Sequence, residues 1–271
     1  MSRDLPAPPY AEALLGLARR LAEQAGAPLL DGQARARTEL GTKTTPTDMV
    51  SEMDRASEQL IIDGIHRARP DDGILGEEGT AEGGTSGVRW VVDPLDGTTN
   101  YLYGSPAWAV SIGVEVDGVV EVGVVADPSM GERYEAIRGR GARSDRQGLA
   151  VRPPTPLGEA LVGTGFSYDA ARRARQAAVL TSVLPAVRDV RRGGAAALDL
   201  CWVAAGRLDA FYEKGLQPWD LAAGALIAEE AGALVGDLDG GPPTGAFTRA
   251  ATPAVFDPLR RLLRSAAADE A

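Results

Sequence analysis

The chain has 271 residues, 44% hydrophobic and 24% charged with a formal net charge of -10, a balance that excludes a largely disordered protein. No basic block offsets that charge, so direct binding to nucleic acid or to an anionic membrane surface is not expected. A single cysteine, Cys201, excludes an intrachain disulfide and suits a reducing cytoplasm, and a single histidine, His66, excludes histidine-rich zinc sites, so any metal here should be held by oxygen.

Met1 to Pro9 is polar and proline-rich, without the apolar segment of a signal peptide. From Tyr10 to Ala25 the residues Leu14, Leu17, Ala18 and Leu21 recur at helical spacing, and Gly26 stands where a C-terminal cap would. Lys43 to Asp48 reads as a loop leading into a second helix that stops before Pro70. Met53, Ala56, Leu60 and Ile61 are its expected buried face, and Glu52, Arg55, Glu58 and Asp63 its solvent face. His66 near its end is expected to be solvated at the helix dipole, and Asp48 near its start to act at least as a cap.

Ile74-Leu75 is a short apolar run closed by Gly76-Glu77-Glu78-Gly79. Next, Arg89 to Val92 has the β-branched character of a buried strand, and it leads directly into Asp93-Pro94-Leu95-Asp96-Gly97-Thr98-Thr99-Asn100. Two carboxylates with the Leu95 carbonyl between them are the oxygen donors a hard divalent cation takes. The Gly97 and Thr98 amides, at a turn, suit a phosphate. The stretch therefore points to a site for Mg²⁺ and phosphate, and bound cations would invert the acidic protein's field for an anionic substrate. The uncharged run Gly97 to Val114 carries Asn100, Pro106 and several hydroxyls, and it is not expected to span a membrane.

Trp108 to Val116 and Val119 to Ala126 read as strands joined by Asp117-Gly118, a strong hairpin signal, with Tyr134 to Ile137 as a third antiparallel strand. The Arg143, Arg146 and Arg152 region reads as a solvated edge. Pro153-Pro154-Thr155-Pro156 marks a lobe boundary, dividing one compact unit into an α+β lobe over 1–152 and an α/β lobe over 153–271. Beyond it the pattern predicts a strand over 160–163, a helix over 170–187, a short strand over 187–190 and a buried helix over 195–205 in which Cys201 packs in the core. A strand over 208–212 follows, ending in Glu213, and then a helix opened by Trp219-Asp220 and a last helix over 253–267. Alternation of this kind favours a layered α/β architecture.

Asp48, Glu77, Asp93, Asp96, Glu213 and Asp220 each have an ordinary structural explanation when taken singly. Together, Gly76-Glu77-Glu78, Asp93 to Asn100 and Trp219-Asp220-Leu221-Ala222-Ala223-Gly224, in that order, resemble the paired signatures of the inositol monophosphatase family. The run from Leu161 to Ala233 is similar to its bacterial branch acting on inositol 1-phosphate. The resemblance implies an α-β-α-β-α sandwich of the inositol monophosphatase and sugar phosphatase type, and a Mg²⁺-dependent, lithium-sensitive phosphatase, commonly a homodimer, with a small phosphorylated polyol as substrate.

Carried over by motif, Glu77, Asp93 and the Leu95 carbonyl would hold one Mg²⁺ and Asp93, Asp96 and Asp220 a second, with a weaker third near Glu77. Asp96, Gly97, Thr98, Ala196, Glu213 and Asp220 would contact substrate. Asp48, Thr98 and Glu77 would be catalytic, Asp48 orienting the Thr98 hydroxyl toward the attacking water. Such a site would clamp the attacking and leaving oxygens of an in-line displacement between metals about 3.5–4 Å apart. One departure stands out: the family's Gly-Ser-Ala-Ala or Gly-Thr-Ala-Ala reads Gly194-Ala195-Ala196-Ala197 here, which removes a hydroxyl beside the substrate. Arg191 and Arg192, just before it, are expected to be structural or interfacial.

Two other classes compete. An aspartyl-phosphate phosphatase would use Asp93 as nucleophile, but its Asp-x-Asp spacing is one residue shorter than Asp93 to Asp96. A non-catalytic metal-binding scaffold would not need every ligand intact. Within the family, histidinol phosphate, 3'-phosphoadenosine 5'-phosphate and fructose 1,6-bisphosphate are the alternative substrates.

Overall fold

The computed structural model describes residues 10–36, 46–145 and 147–271, with the side chains of 34–51 outside that description. Five layers alternate. Helices α1 (Ala11–Ala36) and α2 (Pro46–Ala68) cover one face of a seven-stranded sheet built from β1 (Gly73–Gly76), β2 (Ala81–Glu82), β3 (Val88–Asp96), β4 (Ala109–Val116), β5 (Val119–Asp127), β6 (Glu132–Ile137) and β7 (Ala142–Ser144). Its order is β2-β1-β3-β4-β5-β6-β7, parallel between β1 and β3 and antiparallel elsewhere.

A short helix, α3 (Thr98–Leu102), follows β3. The second sheet is formed by β8 (Leu161–Thr164), β9 (Asp189–Arg191), β10 (Ala210–Glu213), β11 (Leu234–Gly236) and β12 (Thr248–Ala251), ordered β11-β12-β10-β8-β9. Helices α5 (Ala196–Ala204) and α6 (Pro218–Glu230) lie between the sheets, and α4 (Ala170–Val183) and α7 (Pro253–Ser265) close the far side.

Each layer's sequence matches its place. Helix α7 buries Val255, Leu259 and Leu263, one per turn, as a covering helix does. Helix α6 is apolar nearly all round, burying Leu221, Ala222, Ala223, Gly224, Leu226, Ile227 and Ala228, because it has a neighbour on both sides. It comes close to the first sheet because that sheet presents glycines: a Cβ on Gly113 would stand 2.6 Å from the Ala222 Cβ, and one on Gly123 would stand 2.8 Å from the Ala223 carbonyl oxygen. The hairpin between β4 and β5 turns at Asp117 (φ 50°) and Gly118 (φ 79°), the two positive φ angles that the tight turn needs.

Several expectations are corrected. Helix α1 does not end at Ala25; it continues to Ala36 through Gly26 and Pro28. Gly26 is a point of close approach, where a Cβ would meet the Pro128 Cγ at 2.6 Å. On α2, Ala56 is exposed and Glu58 buried, the reverse of the amphipathic reading. Glu58 is tolerated inside because its carboxylate accepts the Glu78 N–H at 2.9 Å and the Thr80 hydroxyl at 2.7 Å. The β3 strand runs through both acids to Asp96, and the helix expected over 170–187 stops at Val183 before a turn of 3₁₀ helix around Pro185. Strands β2, β7, β11 and β12 and helix α3 were not foreseen, being too short or too polar to show a period.

Other readings agree with the structure. Cys201 is fully buried, and burial pushes its thiol pKa up, which suits core packing. His66 is exposed and meets Glu82 at 2.7 Å. Arg143 and Arg152 pair with Glu135 and Asp209, while Arg146 lies outside the described residues.

Candidate active site

At the C-terminal end of β3 the ladder slips by one residue: Asp93 faces Ser111, but Asp96 faces Ala109. Residues three apart on a regular strand point to opposite faces, and the extra residue at the Pro94 bulge brings Asp93 and Asp96 to the same side. Pro94 fits there because a bulge spares a ladder N–H. The Leu95 N–H donates to Asp93 Oδ1 at 3.0 Å, which fixes that carboxylate. The β3 strand then breaks at Gly97, whose φ of 87° and close neighbours, a Cβ being 2.8 Å from the Ala107 oxygen, exclude a side chain.

Asp220 arrives from α6. It sits in that helix's first turn, where its Oδ2 accepts the Gln217 N–H at 2.6 Å, so the expected cap and the site residue are the same carboxylate. One oxygen each from Asp93, Asp96 and Asp220 lies within 4.8 Å of the others. Glu77, just past β1, stands beside this trio and shares a hydrogen bond with Asp93. Asp96 reaches across the layers and accepts the Ala196 and Ala197 N–H groups at 3.3 and 2.7 Å, thereby capping α5, where Ala195 has no side-chain cap to offer.

Burial pushes Asp93 and Asp96 far above the usual carboxylate range, with Glu77 and Asp220 among the neighbours adding to the effect. Glu77 and Asp220 are raised as well, chiefly by burial. Converging buried carboxylates of this kind are stable as anions only around a cation, and an all-oxygen donor set fits Mg²⁺. Glu213, at the end of β10, is pushed up to about 7 by burial and by Asp220, with Arg192 opposing.

These groups line a cleft of about 280 Å³ whose lining also includes Leu95, Gly97, Thr98 and Ala196. The Thr98 hydroxyl donates to the Leu95 carbonyl at 3.1 Å. Asp48 falls in the first turn of α2, and its side chain lies outside the described residues, as does any contact with Thr98. Arg191 pairs with Asp189, whereas Arg192, expected to be structural or interfacial, lines the cleft along with Tyr168, Arg172, Lys214 and Trp219. Tyr168, Arg192 and Lys214 lie in loops, whose positions carry no period that would have marked them, while Arg172 comes from the first turn of α4 and Trp219 from the first turn of α6. Asp199 beneath the cleft did leave a signal, as a lone acid within an apolar helix.

Comparison with known proteins matches residues 11–268 to the inositol monophosphatase family. The chain is 49% identical over 236 residues to the inositol-1-monophosphatase of Mycobacterium leprae, covering 82% of this chain and 80% of that protein. It is 40% identical over 261 residues to the Nus factor SuhB of Pasteurella multocida, covering 95% and 98%. The solved structure of Mycobacterium tuberculosis SuhB superposes with a TM-score of 0.83 at 43% identity, covering 96% of this chain and 99% of that one.

Proposed function

This chain belongs to the inositol monophosphatase family, and from that premise we propose that it is a Mg²⁺-dependent phosphomonoesterase that hydrolyses inositol 1-phosphate to myo-inositol and phosphate. The observation that carries the reading is the trio of carboxylate oxygens from Asp93, Asp96 and Asp220, mutually within 4.8 Å at the floor of a cleft that also holds Glu213 and Thr98. Two to three Mg²⁺ ions would be held by Glu77, Asp93, the Leu95 carbonyl, Asp96 and Asp220. A divalent cation there supplies Lewis acidity, neutralising phosphoryl charge and lowering the pKa of a water.

The chain's own groups do the rest. Gly97 and Thr98 offer backbone N–H groups to the phosphate oxygens, and Gly97's missing side chain lets the anion approach. The Thr98 hydroxyl, which donates to the Leu95 carbonyl at 3.1 Å, would turn to donate to Asp48 and accept a hydrogen bond from the attacking water. Glu213 accepts hydrogen bonds from substrate hydroxyls, and a pKa near 7 lets it do so as an anion at neutral and higher pH. Ala195 is buried and is not among the residues lining the cleft, so substrate preference rests on groups that do line it, Glu213 and Arg192. A homodimer with a polyol phosphate as its small-molecule partner completes this reading.

The test is phosphate release from inositol 1-phosphate, histidinol phosphate, 3'-phosphoadenosine 5'-phosphate and fructose 1,6-bisphosphate, with Mg²⁺, with chelator and with Li⁺. Inositol 1-phosphate is expected to have the highest kcat/KM, lost on chelation and reduced by Li⁺. Asp93→Asn should lose more than the roughly 10–100-fold typical of a metal's outer-shell partners while keeping its fold. A higher kcat/KM for histidinol phosphate would replace the substrate, and an active Asp93→Asn would remove Asp93 from the metal site.

A further inference from the structure

Helix α5 is apolar except for Asp199, whose carboxyl is 1% exposed. Its Oδ1 has no hydrogen-bond partner among the described residues, and the Gly194 N–H donates to the carboxyl. A buried carboxyl without full pairing is costly, so its retention calls for a use. A Cβ on Gly193 would stand 2.4 Å from Asp199 Oδ1 and 2.8 Å from Oδ2. Gly193 is not in the left-handed region, so it is the carboxyl, and not the backbone, that demands glycine there.

The same turn is gripped from its other side by Asn100, whose Nδ2 donates to the Gly193 carbonyl at 2.9 Å and to that of Ala107 at 2.6 Å. Arg192, at the start of the turn, lines the cleft and acts electrostatically on both Asp199 and Glu213. Gly163 of strand β8 and Gly165 just beyond its end complete the arrangement. A Cβ on Gly163 would stand 3.6 Å from Asp199 Oδ1, and one on Gly165 would collide with the Glu213 carboxyl, so both acids lie along a single track.

We propose that Asp199 is a positioning residue for the polyol side of the cleft: its carboxyl holds the Gly193-Gly194 turn and thereby sets Arg192 beside Glu213. The inference rests on the polyol phosphatase reading for its substrate, but not for its structural readout. The charged groups that face Asp199 are Glu213 from β10, Arg192 from the turn and Asp96 from β3. Burial and Glu213 hold Asp199 well above the usual carboxylate range, so it works as a neutral acid.

Asp199→Asn keeps the shape and the acceptor for the Gly194 N–H, Asp199→Ala removes both, and Gly193→Ala crowds the same contact from the other side. All three are compared as full chains with Mg²⁺, using inositol 1-phosphate and p-nitrophenyl phosphate, which has no hydroxyl for Glu213. Amide hydrogen exchange of the 191–197 segment is measured in parallel.

Asp199→Ala and Gly193→Ala should raise KM for inositol 1-phosphate about tenfold, the weight of one hydrogen bond, while kcat and the aryl substrate change by less than about threefold. Exchange over 191–197 should rise in both variants, and Asp199→Asn should match the parent protein in every readout. Equal losses on both substrates, unchanged exchange in Asp199→Ala, or an Asp199→Asn that behaves like Asp199→Ala would each overturn the proposal. If the parent protein does not turn over inositol 1-phosphate, the substrate reading fails, and the exchange comparison between Asn and Ala still decides the role of Asp199.

Discussion

Glu213 and Asp54 are ordinary acids whose surroundings move them to about 7 and about 8, both chiefly through burial and then through neighbouring carboxylates. In the unfolded chain they titrate near 4.5 and 3.8. Between those values and the folded ones the native state binds more protons than the unfolded state, so stability falls as pH rises. Asp93, Asp96, Glu77 and Asp220 are shifted in the same direction. A divalent cation competes with those protons, so the gain in Tm on adding Mg²⁺ should be larger at pH 8 than at pH 5. At about a hundredfold over Kd the gain amounts to roughly 2.7 kcal/mol, or about 5–10 °C for a chain of this size. Thermal denaturation at both pH values checks this, and an equal gain at each would contradict proton competition. At this scale the sequence was legible in residue type: the acids and the glycine at 97 are the ones the chemistry needs. It did not reveal which acids lose their charge: Asp54, on a helix with several other acids, looks like any surface acid until the layers close over it.

Among the elements, α1 shows how a local signal is overridden. A glycine after an amphipathic run normally marks a C-terminal cap, and replacing a mid-helix glycine by alanine normally stabilises by about 0.5–1 kcal/mol. Gly26 instead lies mid-helix with Pro128, from the loop after β5, pressed against it. Gly26→Ala should therefore destabilise by about 1–3 kcal/mol in urea denaturation, the usual cost of overpacking. A stabilised variant would show that the contact can open. The faces of α2 were misassigned for a related reason. Amphipathic reading assumes that polar means outward, yet Ser57 donates to the Pro94 carbonyl at 3.1 Å and Glu58 ties down Glu78 and Thr80, so this helix is fastened to β3, which bears Asp93, and to the turn after β1, which bears Glu77, through its buried polar groups. By contrast, the β4–β5 hairpin was legible because both of its determinants, Asp117 and Gly118, are adjacent in sequence.

For the whole molecule, the decisive contact is that of α6 with the first sheet. Asp220 belongs to α6 and Asp93 and Asp96 to β3, so the metal site is complete only when the middle layer docks at the right height. Gly113 and Gly123 set that height by letting Ala222 and Ala223 touch the strands. Gly123→Ala, whose methyl would meet the Ala223 backbone, should weaken Mg²⁺ binding in calorimetry by about tenfold, although residue 123 does not line the cleft. Unchanged affinity alongside a lowered Tm would separate packing from site geometry. The chain alone determined the donor chemistry, oxygen ligands in a fixed order with a glycine-bearing turn between them, because those properties reside in residue types and near neighbours. Only the tertiary structure decided that the bulge at Pro94 turns Asp93 and Asp96 the same way, that Asp96 also caps α5, and that α6 delivers Asp220 to both. Those outcomes depend on how closely two sheets and the helices between them can pack, which no local pattern encodes.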